Sequence, residues 1–164
     1  MDNERPVRVL FVCHENCNRS QMAEAFARIY GGRSVEAYSA GWRPAQAVDS
    51  KAIAAMHELG YDIRRHLPKG FSDLPEVEYD VVVVICDDGW PGVRAKRWEH
   101  WNVPAPKGLP PERFRAVRDQ IACKVEGLLA RLSVSLDTAV TRPEHHRKEL
   151  PRAALECQMT KSGG

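Results

Sequence analysis

Short apolar runs alternate with helical patterns along this chain, and their order predicts its architecture. Residues 7–12, VRVLFV, are rich in β-branched and aromatic side chains and end at a polar cluster, as a buried strand does. Residues 21–30, QMAEAFARIY, place Met22, Ala23, Phe26 and Ile29 at helical offsets, and Gly31 with Gly32 stops the helix. Residues 34–38 alternate as a second strand, and Gly and Pro make 39–48 a loop. Asp49 or Ser50 caps a helix running through Leu59, ended by Gly60. Residues 79–86, YDVVVVIC, are nearly continuous Val and Ile, the signature of a central parallel strand covered on both faces. A Pro-, Gly- and Trp-rich stretch fills 87–110. A last helix then runs from Pro111, well suited to a first turn, to Leu132.

This β-α-β-α-β-α order predicts one α/β domain over 1–132, an open and mostly parallel sheet with helices on both faces, three layers in all. Ligands of such sheets bind beyond the carboxyl ends of the strands. Cys13 ends the first strand and Cys86 the central one. Residues 133–164, with Pro143, His145, His146 and a Gly-Gly end, read as a C-terminal tail, partly disordered or weakly helical near 151–159.

Composition narrows the function classes. The 164 residues are 43% hydrophobic and 28% charged, which is globular. Against 22 acidic side chains stand 24 Lys and Arg, a net charge of +2 with no footprint for nucleic acid or an acidic membrane surface. No apolar run approaches the roughly 18 residues of a membrane span. The early charges of MDNERPVRVLFVC do not read as a signal peptide, so a cytoplasmic location is expected. Five cysteines, an odd and irregularly spaced set in a reducing compartment, do not make a disulfide framework.

Chemistry concentrates between the first strand and the first helix. Cys13-His14-Glu15-Asn16-Cys17-Asn18-Arg19-Ser20 has the form C-x5-R-S. Successive backbone N–H groups there, with those of the helix N-terminus, form a nest for a tetrahedral oxyanion. Arg19 adds a forked cation, and the positive surroundings favour a Cys13 thiolate aimed at the bound atom. Ser20 can donate a hydrogen bond to that thiolate, and Asn16 tolerates a left-handed turn. Residues 14–20 are therefore the expected oxyanion site, with Cys13, Arg19, Ser20 and Cys86 as the expected catalytic set.

The stretch VLFVCHENCNRSQMAEAFAR resembles the phosphate loop of the low-molecular-weight protein tyrosine phosphatase superfamily. Its R-S-Q-M-A-E continuation is closer to the arsenate reductase branch. Ser39-Ala40-Gly41, AIAAMHELGYDI and PPERFRAVRDQI extend the similarity over residues 7–132. The resemblance implies a four-stranded parallel sheet flanked by helices, a nucleophile at Cys13 and an oxyanion clamp at Arg19. It implies arsenate or a phosphate-like oxyanion as substrate. It further implies an external thiol reductant, of thioredoxin, glutaredoxin or low-molecular-weight type, and no tightly bound cofactor.

Two departures shape the expected chemistry. Cys86 matches the first relay cysteine of the thioredoxin-coupled reductases, but Trp90 stands where the second belongs. Ala105 precedes Pro106 where the family carries the Asp of its general acid, leaving Asp87, Asp88, Glu99 and His100 as replacements. A lost acid costs a phosphatase about 10²–10⁴-fold, whereas reduction needs thiols, with Cys86 attacking Cys13 to release arsenite. The leading reading is an arsenate reductase. The alternatives are a slow phosphatase working through phosphocysteine and a non-catalytic oxyanion binder. Cys86 reads as the resolving thiol or as plain core, and Cys17 as a partner for Cys13 or a bystander. Cys123 reads as core and Cys157 as incidental.

His100, His145 and His146 lack the spacing of a metal site. The basic run over 94–118 reads as a solvated face. Trp42, Trp90, Trp98 and Trp101 read equally as walls of the anion site or as loop packing. Glu24 and Ser39 resemble family positions near a monovalent cation.

Overall fold

The structure, a computed structural model, describes residues 5–132. The expected tail, with its weak helix, Cys157, His145 and His146, lies outside the described residues.

Four parallel strands, β1 (Val7–Cys13), β2 (Val35–Gly41), β3 (Val81–Val84) and β4 (Trp98–His100), line up in the order β2-β1-β3-β4. Residues Val9 to Val12 of β1 and all of β3 have no more than 1% of their surface exposed, as the unbroken Val and Ile pattern requires of strands covered on both faces. Val12 pairs with Val84, and Ile85 N–H donates to Val12 O at 2.7 Å, so β1 and β3 end side by side. β2 runs three residues further than its alternating pattern predicts. Ser39, Ala40 and Gly41 are buried against β1, and tertiary packing overrides the Gly signal. β4 is the strand the periodicity missed, being three residues long, on the edge, and half exposed.

The helices are α1 (Arg19–Gly31), α2 (Ser50–His57) and α3 (Pro111–Arg131). The Asp49 side chain caps α2 by accepting from Lys51 N at 2.9 Å. That helix stops at His57, two residues short of the expected end, and Gly60 takes the left-handed turn at φ 81°.

The expectation of helices on both faces is corrected. Phe26, Met56, Phe114, Ile121 and Leu128, from all three helices, share one core with Val9, Phe11, Val81 and Val83. Leu10, Val12, Val82 and Val84 face the other way, against Tyr79 and the partly buried Phe71, Leu74, Val77 and Val93. A 3-10 turn at Phe71–Asp73 and loops make that third layer. Pro68, Gly70 and Pro75 interrupt any longer helix there. No helix among the described residues is long and apolar enough to cross a membrane.

Candidate active site

The loop between β1 and α1 is held by its carbonyls. Arg43 N donates to His14 O, Ala45 N to Glu15 O and Asp49 N to Cys17 O, all within 2.9 Å. Gln21 Nε2 donates to Asn16 O at 3.2 Å, and Met22 N to Asn18 O at 2.9 Å. Five consecutive carbonyls are thereby turned to the protein, as the outer side of such a loop requires. That is the construction of an anion nest. The outer frame comes from backbone donors over 42–49, which carry no side-chain signature in the sequence.

Asn16 is the hinge of the loop. It has φ 51°, is fully buried, and its Oδ1 accepts from Lys69 N at 2.8 Å and Gln21 Nε2 at 2.9 Å. Its Nδ2 donates to Ser20 Oγ at 2.7 Å. That contact uses one acceptor site of the hydroxyl and leaves its proton free for the Cys13 sulfur, 2.8 Å away. Gln21 Oε1 in turn faces His66 Nδ1 at 3.1 Å, a supporting layer the loop pattern did not reveal. Gly41 lies against the loop from β2. A Cβ there would meet Asn16 N and His14 O at 2.8 Å, so the backbones touch only because the residue is glycine.

Arg19 opens α1, whose N-cap Asn18 accepts from Arg19 N at 2.5 Å. Its Nη1 donates to Ile85 O at 2.8 Å and Val103 O at 2.9 Å, which fixes the guanidinium across the strand ends. Its Nε is buried with no acceptor among the described residues. A buried cationic donor without a partner is costly, and a bound oxyanion would satisfy it.

The expected site residues separate by what their side chains do. Glu15 points to Lys107, with Nζ–Oε2 at 2.8 Å, and that ammonium holds its carboxyl below the usual range. Lys107, absent from the expected set, thereby offsets an acid in an anion loop. Cys17 lies 3.4 Å from Glu15 Oε2, and burial together with that carboxylate pushes its thiol up to about 12. It is a poor nucleophile, which favours the bystander reading. His14 leaves the loop to meet Asp88, Nδ1 to Oδ2 at 2.6 Å.

Beyond the loop opens a cleft of about 510 Å³, lined by His14, Arg19, Cys86, Asp88, His100 and Ala105 among others. Cys86 is 8% exposed, and burial raises its thiol, with the Asp88 carboxylate and Cys13 adding to the effect. Of the four replacements for the missing acid, Asp87, Asp88 and His100 line this cleft. Glu99 instead accepts from Trp101 Nε1 and Arg131 Nη2. Trp101 lines the cleft and packs on Phe11, with ring centroids 5.8 Å apart. Trp90 packs edge-on against Trp98, and Trp42 against Phe71.

Glu24 is 2% exposed with Arg28 Nη2 at 3.4 Å, His66 Nδ1 at 3.6 Å and Lys69 Nζ at 3.9 Å. Burial raises its carboxyl against the pull of Lys69 and Arg28. Arg28 and Lys69 thus stand at the corner where the resemblance put a monovalent ion. Cys123 is buried in α3, as expected of a core thiol.

Comparisons with known proteins agree with this geometry. The family model for low molecular weight phosphotyrosine protein phosphatase matches residues 8–138. The chain is 36% identical over 132 residues to a glutaredoxin arsenate reductase of Synechocystis sp., covering 77% of this chain and 98% of that relative. A solved arsenate reductase in its phosphate binding state superposes with a TM-score of 0.70 at 34% identity, over 79% of this chain and 99% of that one. A thioredoxin-dependent arsenate reductase of Corynebacterium glutamicum gives 0.63 at 26% identity, over 80% and 64%. With a nest of this construction at the end of β1 and these relatives, the chain belongs to the low molecular weight phosphotyrosine protein phosphatase family, in its arsenate reductase branch.

Proposed function

We propose that the protein reduces arsenate to arsenite, with Cys13 as nucleophile and Cys86 as resolving thiol. One observation carries the reading. A second thiol, Cys86, sits on the neighbouring strand end in the cleft shared with Arg19, where a phosphatase needs a carboxylic acid and this chain has Ala105. The loop N–H groups and Arg19 Nε bind the oxyanion, and Ser20 Oγ steadies the Cys13 thiolate.

Cys13 Sγ attacks arsenic, forming an S–As bond as one oxygen leaves as water. Cys86 Sγ then attacks Cys13 Sγ. The S–S bond forms, the S–As bond breaks with its electron pair remaining on arsenic, and arsenic passes from +5 to +3 as the two thiols become a disulfide. An external dithiol or low-molecular-weight thiol reduces that disulfide by exchange. Relatives named for glutaredoxin and for thioredoxin support a redoxin in that role.

The test is turnover of the reduced full chain with arsenate and excess thiol or redoxin, following arsenite and intact mass. Arsenite lost in Cys13→Ser, with a two-hydrogen mass loss absent in Cys86→Ser, is the expected result. Undiminished turnover in Cys86→Ser removes the resolving role. Phosphate release from an aryl phosphate without arsenite makes the protein a phosphatase.

A further inference from the structure

The resolving thiol needs a base. Burial and neighbouring negative charge keep Cys86 in its thiol form, and only a thiolate attacks another sulfur. The groups facing it can be weighed one at a time. Cys13 is already bonded to arsenic when Cys86 must act. Arg19 is permanently cationic and cannot take a proton. His100 Nε2 lies 3.1 Å from Cys86 O and 3.3 Å from Asp87 Oδ1, a position between two acceptors that calls for a proton on that nitrogen. Asp87 itself has a side chain 99% exposed, in open solvent.

Asp88 is placed differently. It follows Cys86 by two residues and lines the same cleft, and its carboxylate is among the groups that raise the Cys86 thiol. Its Oδ2 is held by His14 Nδ1 at 2.6 Å, and both side chains line the cleft. The carbonyl of His14 is anchored by Arg43 N, so the phosphate loop keeps its frame while the imidazole reaches across to the Cys86 turn.

We propose that Asp88 is the general base of the resolving step, oriented for it by His14. The inference rests on the resolving role assigned to Cys86. As Cys86 Sγ attacks Cys13 Sγ, its proton moves to the Asp88 carboxylate. When the S–As bond breaks, that proton passes to an oxygen of the departing arsenite, leaving Asp88 ionised for the next turnover. In this role Asp88 takes the proton of the reacting sulfur and is catalytic, whereas His14 is a positioning residue. Placing His14 in the loop and Asp88 beside the resolving thiol pairs the two strand ends, so the base is set only when the loop is formed.

The experiment is a single turnover of the reduced full chain with stoichiometric arsenate, acid-quenched and read as the two-hydrogen mass loss, from pH 6 to 9.5. Asp88→Asn is expected to slow disulfide formation about 10²-fold at pH 7. Its rate should recover about tenfold per pH unit toward the wild type as Cys86 ionises unaided, and Asp88→Glu should restore much of it. His14→Phe should slow the step in the wild type but add nothing in the Asp88→Asn background. An Asp88→Asn rate equal to or above the wild type overturns the inference, since the carboxylate then only opposes the thiolate. A loss of equal size at every pH overturns it too, because that is a structural effect. Arsenite formed by the wild type without a disulfide removes the resolving role of Cys86 and the base with it.

Discussion

Replacing Asn16 by Ala tests whether one side chain sets the shape of the anion loop. The substitution leaves Lys69 N–H without its 2.8 Å acceptor and strips Ser20 Oγ of its 2.7 Å donor, while Gln21 Nε2 keeps Leu67 O at 3.0 Å. One orphaned buried donor costs about 1–3 kcal/mol, and a left-handed backbone costs a residue with a Cβ about 1 kcal/mol more, for a loss of about 2–4 kcal/mol. With a urea slope of about 2 kcal/mol/M, the unfolding midpoint should fall by about 1–2 M. Asn16→Gly loses the same hydrogen bonds but not the backbone strain. It should therefore be the more stable variant, against the usual order in which Gly trails Ala by about 0.5–1 kcal/mol. Urea unfolding of the three reduced proteins, read by far-UV circular dichroism, measures both differences. An Ala variant within about 0.5 kcal/mol of the wild type, or one more stable than the Gly variant, refutes the reasoning.

Three further outcomes follow from the geometry. Gly41→Ala drives a Cβ to 2.8 Å of loop backbone and should cost about 1–3 kcal/mol while weakening phosphate competition with arsenate; unchanged inhibition by phosphate counts against the contact. Asp80 is partly desolvated, yet Arg5, Arg8 N–H and Lys96 outweigh burial and hold its carboxyl below the ordinary range. Its stabilisation is thus present above the unfolded value near about 3.9 and lost as pH falls through the lower folded one. The urea midpoint gap between wild type and Asp80→Asn should be constant from pH 8 to 5 and close below about pH 4; a gap that widens there is wrong in sign. Cys17, pushed up to about 12, should resist iodoacetamide at pH 8 in the folded protein, and Cys17→Ala should still form the Cys13–Cys86 disulfide. Peptide mapping that finds Cys17 alkylated as fast as a free thiol contradicts this.

Central features were readable in the sequence because they are local. VRVLFV and VVVV declare buried strands, and C-x5-R-S marks the loop between a strand and a helix. What was not readable depends on distant chain. β4 is three residues of Trp98, Glu99 and His100, too short for a period, and exists because β3 offers an edge. Helices were expected on both faces because element order does not say which side a crossover takes. Prolines 68 and 75 mark where a helix fails, not where the other three go. At the site, Cys13, Ser20 and Arg19 stand where the pattern places them. The Lys107 contact to Glu15 and the backbone frame over 42–49 have no sequence signal at all. Cys86 was visible as a strand-end thiol, but its Asp88 and His14 neighbours became a pair only once β1 and β3 were known to be adjacent.

Arg19 carries a consequence of another kind. Its Nη1 ties the end of β3 to Val103 through two carbonyls, while its Nε has no partner among the described residues. An oxyanion bound in the nest would therefore be a folding ligand, adding about 2.7 kcal/mol of stability at a hundred times its dissociation constant. Inorganic phosphate has the shape and charge of arsenate but offers sulfur no oxidising centre. It would brace the fold and occupy the pocket at once, so an ion that protects this protein from unfolding would also delay the proposed chemistry.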